Sequence, residues 1–306
     1  MFDDFVFLSL VPLLVGVLAS LSCALVGNFL VLRRQALIGD AVSHVVLPGI
    51  VMAFLVTGSV AAGPMLIGAG IAAVASVLLI ELVRRVGRVE PGAAMGVVFT
   101  AMFAGGILLI ERSDTSSVHL DVEHALYGNL ESLVWFSGLG WSSLVDPAAL
   151  ADLPPQLPRL ALMLVIVALF VALFWKELVI GTFDAGFAES VGARPALFSF
   201  ALVVLVAAVA VTAFDAVGSI IVIAMFICPP ASARLMTDRM SGQIAWSAGF
   251  AILSAVLGFF AAAHLPLLLG WGASVSAAGM IAAMSGLLLG LACLFGPRRK
   301  GIATQP

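Results

Sequence analysis

Long, nearly uncharged apolar runs are the feature of this sequence that most restricts its fold. Each is about as long as the roughly 20 residues that a helix needs to cross the hydrocarbon core of a bilayer. The runs are continuous rather than alternating, which favours helices over the strands of a transmembrane barrel. They cover residues 5–32, 36–58, 63–83, 92–110, 158–175, 196–213, 217–233, 243–263 and 273–295. The sequence therefore predicts an all-α, polytopic membrane helix bundle of eight or nine spans, with residues 1–306 forming a single domain.

The composition excludes a soluble enzyme. Apolar residues make up 62% of the chain and charged residues only 10%, whereas a soluble domain carries roughly 25% charged residues. Too few polar side chains are present to cover the surface of a soluble protein. Three cysteines occur singly in apolar runs without CxxC spacing, so they are interpreted as small packing residues. They are Cys23, Cys228 and Cys293.

The distribution of positive charge predicts how the chain is oriented in the membrane. When the nine runs alternate in direction, only Arg112 and Arg159 of the 14 Lys and Arg residues fall on one side. The others fall together on the opposite side, and Lys and Arg accumulate on the cytoplasmic side of membranes. The sequence thus predicts a cytoplasmic C-terminus and an N-terminus outside. The first run is too long for a signal peptide and is expected to remain as a span.

Two ionisable residues, Asp40 and His44, lie within the second apolar run. A charge at membrane depth is costly, so such residues are candidates for function. On a helix, residues four apart share one face and can bind one cation together. Pro48 lacks the N–H that would bond the carbonyl of His44, which predicts a kink or break at this place. Gly39 and Gly49 allow a second backbone to come close.

A carboxylate and an imidazole suit Mn(II), Fe(II) or Zn(II), and the lack of a nearby thiolate disfavours copper. Two ligands make an incomplete cage, which a twofold-related copy of the chain would complete. The alternative interpretation is a hydrogen bond between Asp40 and His44 that satisfies both groups inside the bundle. No permanently bound cofactor is expected, and the metal would be the transported ion.

The longest polar stretch, residues 113–157, is predicted to be an extracytoplasmic loop. It is rich in acidic residues, which suits a cationic solute, a polar partner or simply a solvated loop. Asp121 and His124 in this stretch are weak candidates for the path by which a cation enters. Asp215, near the outer end of a later run, is a third weak candidate, although it is equally suited to capping a helix.

Residues 177–194 carry a full set of helix start and stop signals on the predicted cytoplasmic side. Asp184 can cap a short helix, Gly192 can end it in a left-handed turn, and Pro195 can begin the next span. The residues expected to share one face are Phe183, Phe187, Ala188 and Val191. We interpret this segment as an amphipathic helix that docks a cytoplasmic partner, with packing across two span ends as the alternative.

A second irregular place is expected at Pro229–Pro230. The paired prolines would free the carbonyls of Met225 and Phe226 at membrane depth, which is tolerated only where protein or a water-filled cavity satisfies them. Broken helices of this kind often line a transport path. The sequence therefore predicts a broken or re-entrant helix near Pro229–Pro230, as it does near Pro48, with a kink needed only for packing as the alternative.

Three segments in this order, residues 33–49, 183–192 and 217–234, resemble the membrane permeases of bacterial ATP-binding-cassette importers for zinc, manganese and iron. Residues 120–129 give a weaker match. Order and spacing cover most of the chain. The stretch near 138–158 looks longer than is usual in that family.

The resemblance implies that Asp40 and His44 form a metal-coordinating gate and that 183–192 is the coupling helix that docks in a groove of a separate ATPase. The coupling residues implied are Phe183, Asp184, Phe187, Ala188, Glu189 and Gly192. It also implies four partners in the bacterial inner membrane: a cytoplasmic ATP-binding subunit, an extracytoplasmic metal-binding protein, a second permease copy or a paralogue, and membrane lipid. No nucleic-acid partner is expected.

The function expected is that of a permease subunit of a metal importer that switches between outward and inward access. The chain has no GxxxxGK[ST], HExxH or GxSxG motif, so it is not expected to be an enzyme, and ATP hydrolysis would occur on the partner. The alternative is an ion-coupled secondary transporter of a cation, in which Asp40 titrates. An intramembrane protease is disfavoured because Ser43 and His44 are adjacent and point apart on a helix.

Overall fold

The computed structural model describes residues 6–36, 38–59, 62–112, 130–138, 140–268, 270 and 275–298. These residues contain helices and no β-strand. A π-helical turn, Val6–Leu10, leads into the first helix. The helices are α1 (Val11–Leu32), α2 (Ile38–Thr57), α3 (Ala62–Gly87), α4 (Pro91–Arg112), α5 (Pro147–Ala151), α6 (Gln156–Leu173), α7 (Trp175–Phe183), α8 (Ala185–Ser190), α9 (Pro195–Met236), α10 (Met240–Leu268) and α11 (Ala277–Phe295).

The predicted fold class, an all-α polytopic membrane bundle, is confirmed. Among the described residues, seven helices are long and apolar enough to cross a membrane. Helix α2 is separate from these seven. It has 20 residues, which is a length of about 30 Å at 1.5 Å per residue and equals the thickness of a bilayer core. The seven segments are Val6–Leu32, Gly63–Gly87, Gly92–Leu109, Gln156–Leu173, Pro195–Met236, Met240–Leu268 and Ala277–Phe295.

Helix α9 joins two of the predicted runs and changes direction at Gly218. This residue has φ 78° and ψ 169°, inside a helix of 42 residues. A backbone with positive φ and ψ near 180° is accessible essentially only to glycine. The first half of α9 begins beside Arg33, which bonds Ser199, and ends beside Arg159, which pairs with Asp215. The second half then returns toward Arg33, because Phe226 lies against both Gly27 near the end of α1 and Gly39 at the start of α2.

The expected positions of the breaks are therefore wrong in detail. Helix α9 runs through Pro229 and Pro230 and is interrupted eleven residues earlier, at Gly218. Helix α2 likewise continues through Pro48. A proline removes one hydrogen bond from a helix but fixes a helical φ, so flanking packing can hold the helix together. Gly218 instead adopts a backbone conformation that no helix contains.

The centre of the bundle consists of α1 and α9. Half of the residues in the most apolar stretch of Val6–Leu32 are buried, whereas only 17% of the residues in the corresponding stretch of α6 are buried. The outer helices α3, α4 and α6 expose large apolar side chains, which suits contact with lipid chains. Examples are Ile67, Ile71, Leu82, Val97, Leu162 and Leu169.

The end of the predicted outer loop that is described, from residue 130 onward, is folded against the bundle. Trp135 is fully buried, and its indole N–H donates to the carbonyl of Ala149 at 2.9 Å. Its backbone N–H donates to the carbonyl of Phe7 at 3.3 Å. Residues 113–129 lie outside the described residues.

Candidate metal site and docking helix

Asp40 and His44 lie one turn apart in the first half of α2. The structure describes their helical backbone, which agrees with the predicted spacing, but their side chains lie outside the described part. Their role as metal ligands stays a prediction. The residues around them in α2 are described, and they determine where this helix sits in the bundle.

Glycine contacts hold α2 tightly against α3. A Cβ atom on Gly49 would overlap both the carbonyl oxygen of Gly68 and the methyl group of Ala72. In the same way, a Cβ atom on Gly68 would overlap the carbonyl oxygen of Gly49 and the methyl group of Ala53. Close approach of two backbones is how membrane helices gain packing energy without a hydrophobic driving force. The close approach expected at Gly49 is confirmed, while its partner Gly68 was not identified from the sequence.

Two further contacts place α2 against α4 and α9. A Cβ atom on Gly106 of α4 would lie 3.0 Å from Cδ of Pro48. A Cβ atom on Gly39 would lie 2.6 Å from the ring of Phe226 in α9. Gly39 therefore allows the close approach that was expected, although the group it accommodates is an aromatic ring rather than a backbone. Helix α2 is thus held between α3, α4 and the returning half of α9.

A cavity of about 480 Å³ opens beside the first residue of α2. It lies between α2, α3, α4 and α9, at the end of the bundle that carries Arg84 and Arg85. Glu81 in its wall is paired with these two arginines at 3.0 and 2.6 Å, and the three residues share one partly exposed face of the helix. Other lining residues are Gln35, Ile38, Met95 and Ser199.

Among the described residues, no group of three or more His, Cys, Asp or Glu side chains could hold a metal ion. The three cysteines are free thiols: Cys23 is buried, Cys228 is partly buried and Cys293 is exposed. The interpretation as a packing residue fits the buried Cys23, whereas the exposed Cys293 does not match it.

Asp215 is paired with Arg159 across the end of the bundle opposite to Arg33. The distance between Asp215 Oδ2 and Arg159 Nη1 is 3.5 Å. Asp215 lies three residues before the turn at Gly218, so the ion pair connects this turn to the start of α6. The other two candidates for the cation path, Asp121 and His124, lie outside the described residues.

The predicted short helix is confirmed as α8, with each end capped as expected. Asp184 Oδ1 accepts a hydrogen bond from the backbone of Phe187 at 2.8 Å. Gly192 has φ 81°, and its N–H donates to the carbonyl of Glu189 at 3.0 Å, while Ala193 donates to Ala188 at 2.9 Å. These two bonds form a Schellman motif, which ends a helix at a left-handed residue. Pro195 then begins α9.

The outer surface around α8 carries three large apolar side chains. Phe187 of α8 is 55% exposed, Phe183 at the end of α7 is 59% exposed, and Val191 just past α8 is 57% exposed. Ala188 is fully buried, so the expectation that it shares this face is wrong. One residue past Phe187 is a rotation of 100° on a helix, which turns Ala188 toward the bundle. Three large apolar side chains at a polar end of a membrane protein form a candidate docking surface.

A family comparison matches most of the chain. The ABC 3 transport family matches residues 6–134 and 153–293. The unmatched residues 135–152 fall largely within the stretch that looks longer than usual in the sequence.

Individual proteins give the same result. The chain is 38% identical to the manganese transport system membrane protein MntD of Bacillus subtilis (strain 168), over 95% of this chain and 92% of that protein. It is 36% identical to the zinc transport system membrane protein TroD of Treponema pallidum (strain Nichols), over 93% of this chain and 73% of that protein. Among solved structures, PsaBC from Streptococcus pneumoniae in complex with Fab matches with a TM-score of 0.73 and 25% identity, covering 96% of this chain and 93% of that one.

Proposed function

The chain belongs to the ABC 3 transport family, and from that premise we propose that it is the permease subunit of an ATP-driven importer of a divalent transition metal. The two relatives named above are a manganese and a zinc transport protein. Both ions accept a carboxylate and an imidazole as ligands, and so does iron. We therefore propose manganese or zinc as the substrate, with iron as a further candidate.

The observation that carries the proposal is the position of α2. This helix bears Asp40 and His44 and is held by glycine contacts between α3, α4 and α9. An ionisable pair on a helix enclosed in this way belongs to a transport path more readily than to a lipid-facing surface. In the proposed mechanism, the two side chains bind the cation in transit, and the cavity beside Ile38 receives it on the way to the cytoplasm.

Helix α8 is proposed as the coupling helix that docks on a separate ATP-binding subunit. Its capped ends make it a rigid element, and the exposed side chains of Phe187 in the helix and of Phe183 and Val191 on either side of it offer a surface for the groove of a partner. The proposed coupling residues are Phe183, Asp184, Phe187, Ala188, Glu189 and Gly192. Phe183 and Phe187 would make contact, whereas Asp184, Ala188 and Gly192 would position the helix. ATP binding and hydrolysis on the partner would switch the path between outward and inward access.

The orientation proposed has the N-terminus outside and the C-terminus in the cytoplasm. It is supported by the cationic groups that gather at the end where α1 stops. Arg33 bonds Ser199, and Ser199 lines the same cavity as Arg84 and Arg85. Lys and Arg favour the cytoplasmic side. The complex would also contain an extracytoplasmic metal-binding protein and a second permease, either a copy or a paralogue, in the bacterial inner membrane.

Uptake into proteoliposomes distinguishes this proposal from an ion-coupled secondary transporter. We expect uptake of radioactive manganese or zinc only when the ATP-binding subunit, the metal-binding protein and MgATP are all present. A proton or sodium gradient across vesicles that contain the chain alone serves as the control. Gradient-driven uptake by the chain alone, without the ATP-binding subunit, would contradict the proposal.

A further inference from the structure

Arg33 bonds both helices that flank the docking helix. Its Nε donates to Thr182 Oγ1 at 3.0 Å, and its Nη1 donates to Ser199 Oγ at 3.0 Å. Thr182 lies in the last turn of α7, two residues before the Asp184 cap of α8. Ser199 lies in the second turn of α9, which follows α8. One guanidinium therefore connects the segments on either side of the docking helix.

The hydroxyl of Thr182 is oriented to receive this bond. Its own hydrogen is donated to the carbonyl of Leu178 at 2.6 Å, so its oxygen presents a lone pair to Arg33. Hydrogen bonds from a charged donor are stronger than bonds between neutral groups. Burial lowers the pKa of the Arg33 guanidinium, because desolvation disfavours its charge. Within the described part of the chain, the side-chain partners of this cation are the two neutral hydroxyls of Thr182 and Ser199.

The segment of chain that follows Arg33 connects it to α2, the helix that carries the candidate metal ligands. After α1, Arg34 N–H donates to the carbonyl of Val31 at 3.1 Å and Gln35 N–H donates to that of Leu30 at 2.8 Å. This is again a Schellman motif, with Arg34 at φ 57° in the left-handed region. Ile38 N–H then donates to the carbonyl of Gln35 at 3.0 Å. The connection from Arg33 to the first turn of α2, which contains Asp40, is thus hydrogen-bonded.

We infer that Arg33 is a positioning residue that transmits movement of the docking helix to the metal-binding helix α2. The inference rests on the proposed function. When the partner shifts α8, the flanking residues Thr182 and Ser199 move with it, and the guanidinium carries that displacement into the turn that begins α2. An open cavity of about 460 Å³ beside these residues, which Glu189 of α8 also lines, leaves room for such a shift.

The test is the number of metal ions taken up per ATP hydrolysed, measured on the reconstituted complex with its ATP-binding subunit and metal-binding protein. Arg33→Ala removes both hydrogen bonds and is expected to lower this ratio by at least about tenfold, because each bond from a charged group contributes roughly that factor or more. ATP hydrolysis itself should continue. Arg33→Lys should restore part of the ratio, because an ammonium keeps the charge but cannot bond both hydroxyls in the geometry of a guanidinium. Arg239→Ala, which removes an exposed cation that lines neither cavity, is the control for loss of charge.

A second variant tests the bridge with Arg33 intact. The double variant Thr182→Val, Ser199→Ala removes both acceptors and should also lower uptake per ATP, whereas Thr182→Ser keeps the hydroxyl and should behave as wild type. Wild-type coupling in the double variant overturns the inference, even if Arg33→Ala does not assemble. If the wild-type complex shows no ATP-dependent uptake, the proposed function fails. If it does and the variants couple normally, only the bridge fails.

Discussion

Gly27 is the residue at which α1 meets a carbonyl group that a proline has released. Pro230 has no N–H, so the carbonyl of Phe226 lacks its partner within α9. That oxygen lies against Gly27 so closely that a Cβ atom there would overlap it. No water is available at membrane depth to satisfy such a group. A Cα–H of glycine can give a weak hydrogen bond to it, so Gly27 helps to explain why α9 continues through two prolines.

Substitution of Gly27 should therefore destabilise the folded chain. Gly27→Ala places a methyl group against the Phe226 oxygen and the Pro230 ring, and we expect a cost of about 1–3 kcal/mol from overpacking. Thermal unfolding in detergent measures it as a lower midpoint. Gly286→Ala is the matched control, since a Cβ there meets nothing within 4 Å. Equal midpoints for Gly27→Ala and wild type would show that the contact at Gly27 is loose.

This residue also shows what could be predicted locally and what could not. The sequence correctly indicated that Pro229 and Pro230 would free two carbonyls. It could not show that Gly27, some 200 residues earlier, lies against one of them, because that pairing is set by tertiary packing. For the same reason Gly49 was identified as a position of close approach, whereas its partner Gly68 was not.

At the scale of elements, the docking helix α8 was the most predictable part of the chain. Its start at Asp184 and its end at Gly192 depend on side chains and backbone angles within the segment itself, so the sequence contains all the signals. The place where α9 turns is different. The sequence predicts two separate apolar runs there, 196–213 and 217–233, but it assigns the break to the paired prolines rather than to Gly218. Gly218 makes the turn because it alone there accepts a positive φ.

The rigidity of α8 can be tested at Gly192. Gly192→Pro is expected to uncouple ATP hydrolysis from metal uptake, because proline cannot adopt the φ of 81° and has no N–H to donate to Glu189. Gly192→Asn is the matched variant, since asparagine tolerates the left-handed region, and it should keep most of the coupling. The measurement is again uptake per ATP hydrolysed. Normal coupling in Gly192→Pro would show that the segment is only a connector.

At the scale of the whole molecule, the bundle places two predicted features within one continuous structure. Helix α2, with Asp40 and His44, begins where α1 ends, and α8 lies beside that same turn through Arg33. The nine apolar runs and the bundle class followed from composition and run length alone. The neighbours of α2 did not, because membrane helices are apolar on all sides and their sequences carry little information about which of them touch.

The most direct test of this account is uptake of radioactive manganese or zinc by the reconstituted complex with Asp40→Ala or His44→Ala. Each variant removes one proposed ligand, so uptake should fall to background while the permease still assembles with its ATP-binding subunit. His264→Ala is the matched control; this exposed histidine lies near the end of α10 against the carbonyl of Phe260, and its loss should leave uptake unchanged. Wild-type uptake in either Asp40→Ala or His44→Ala would contradict the proposed metal gate.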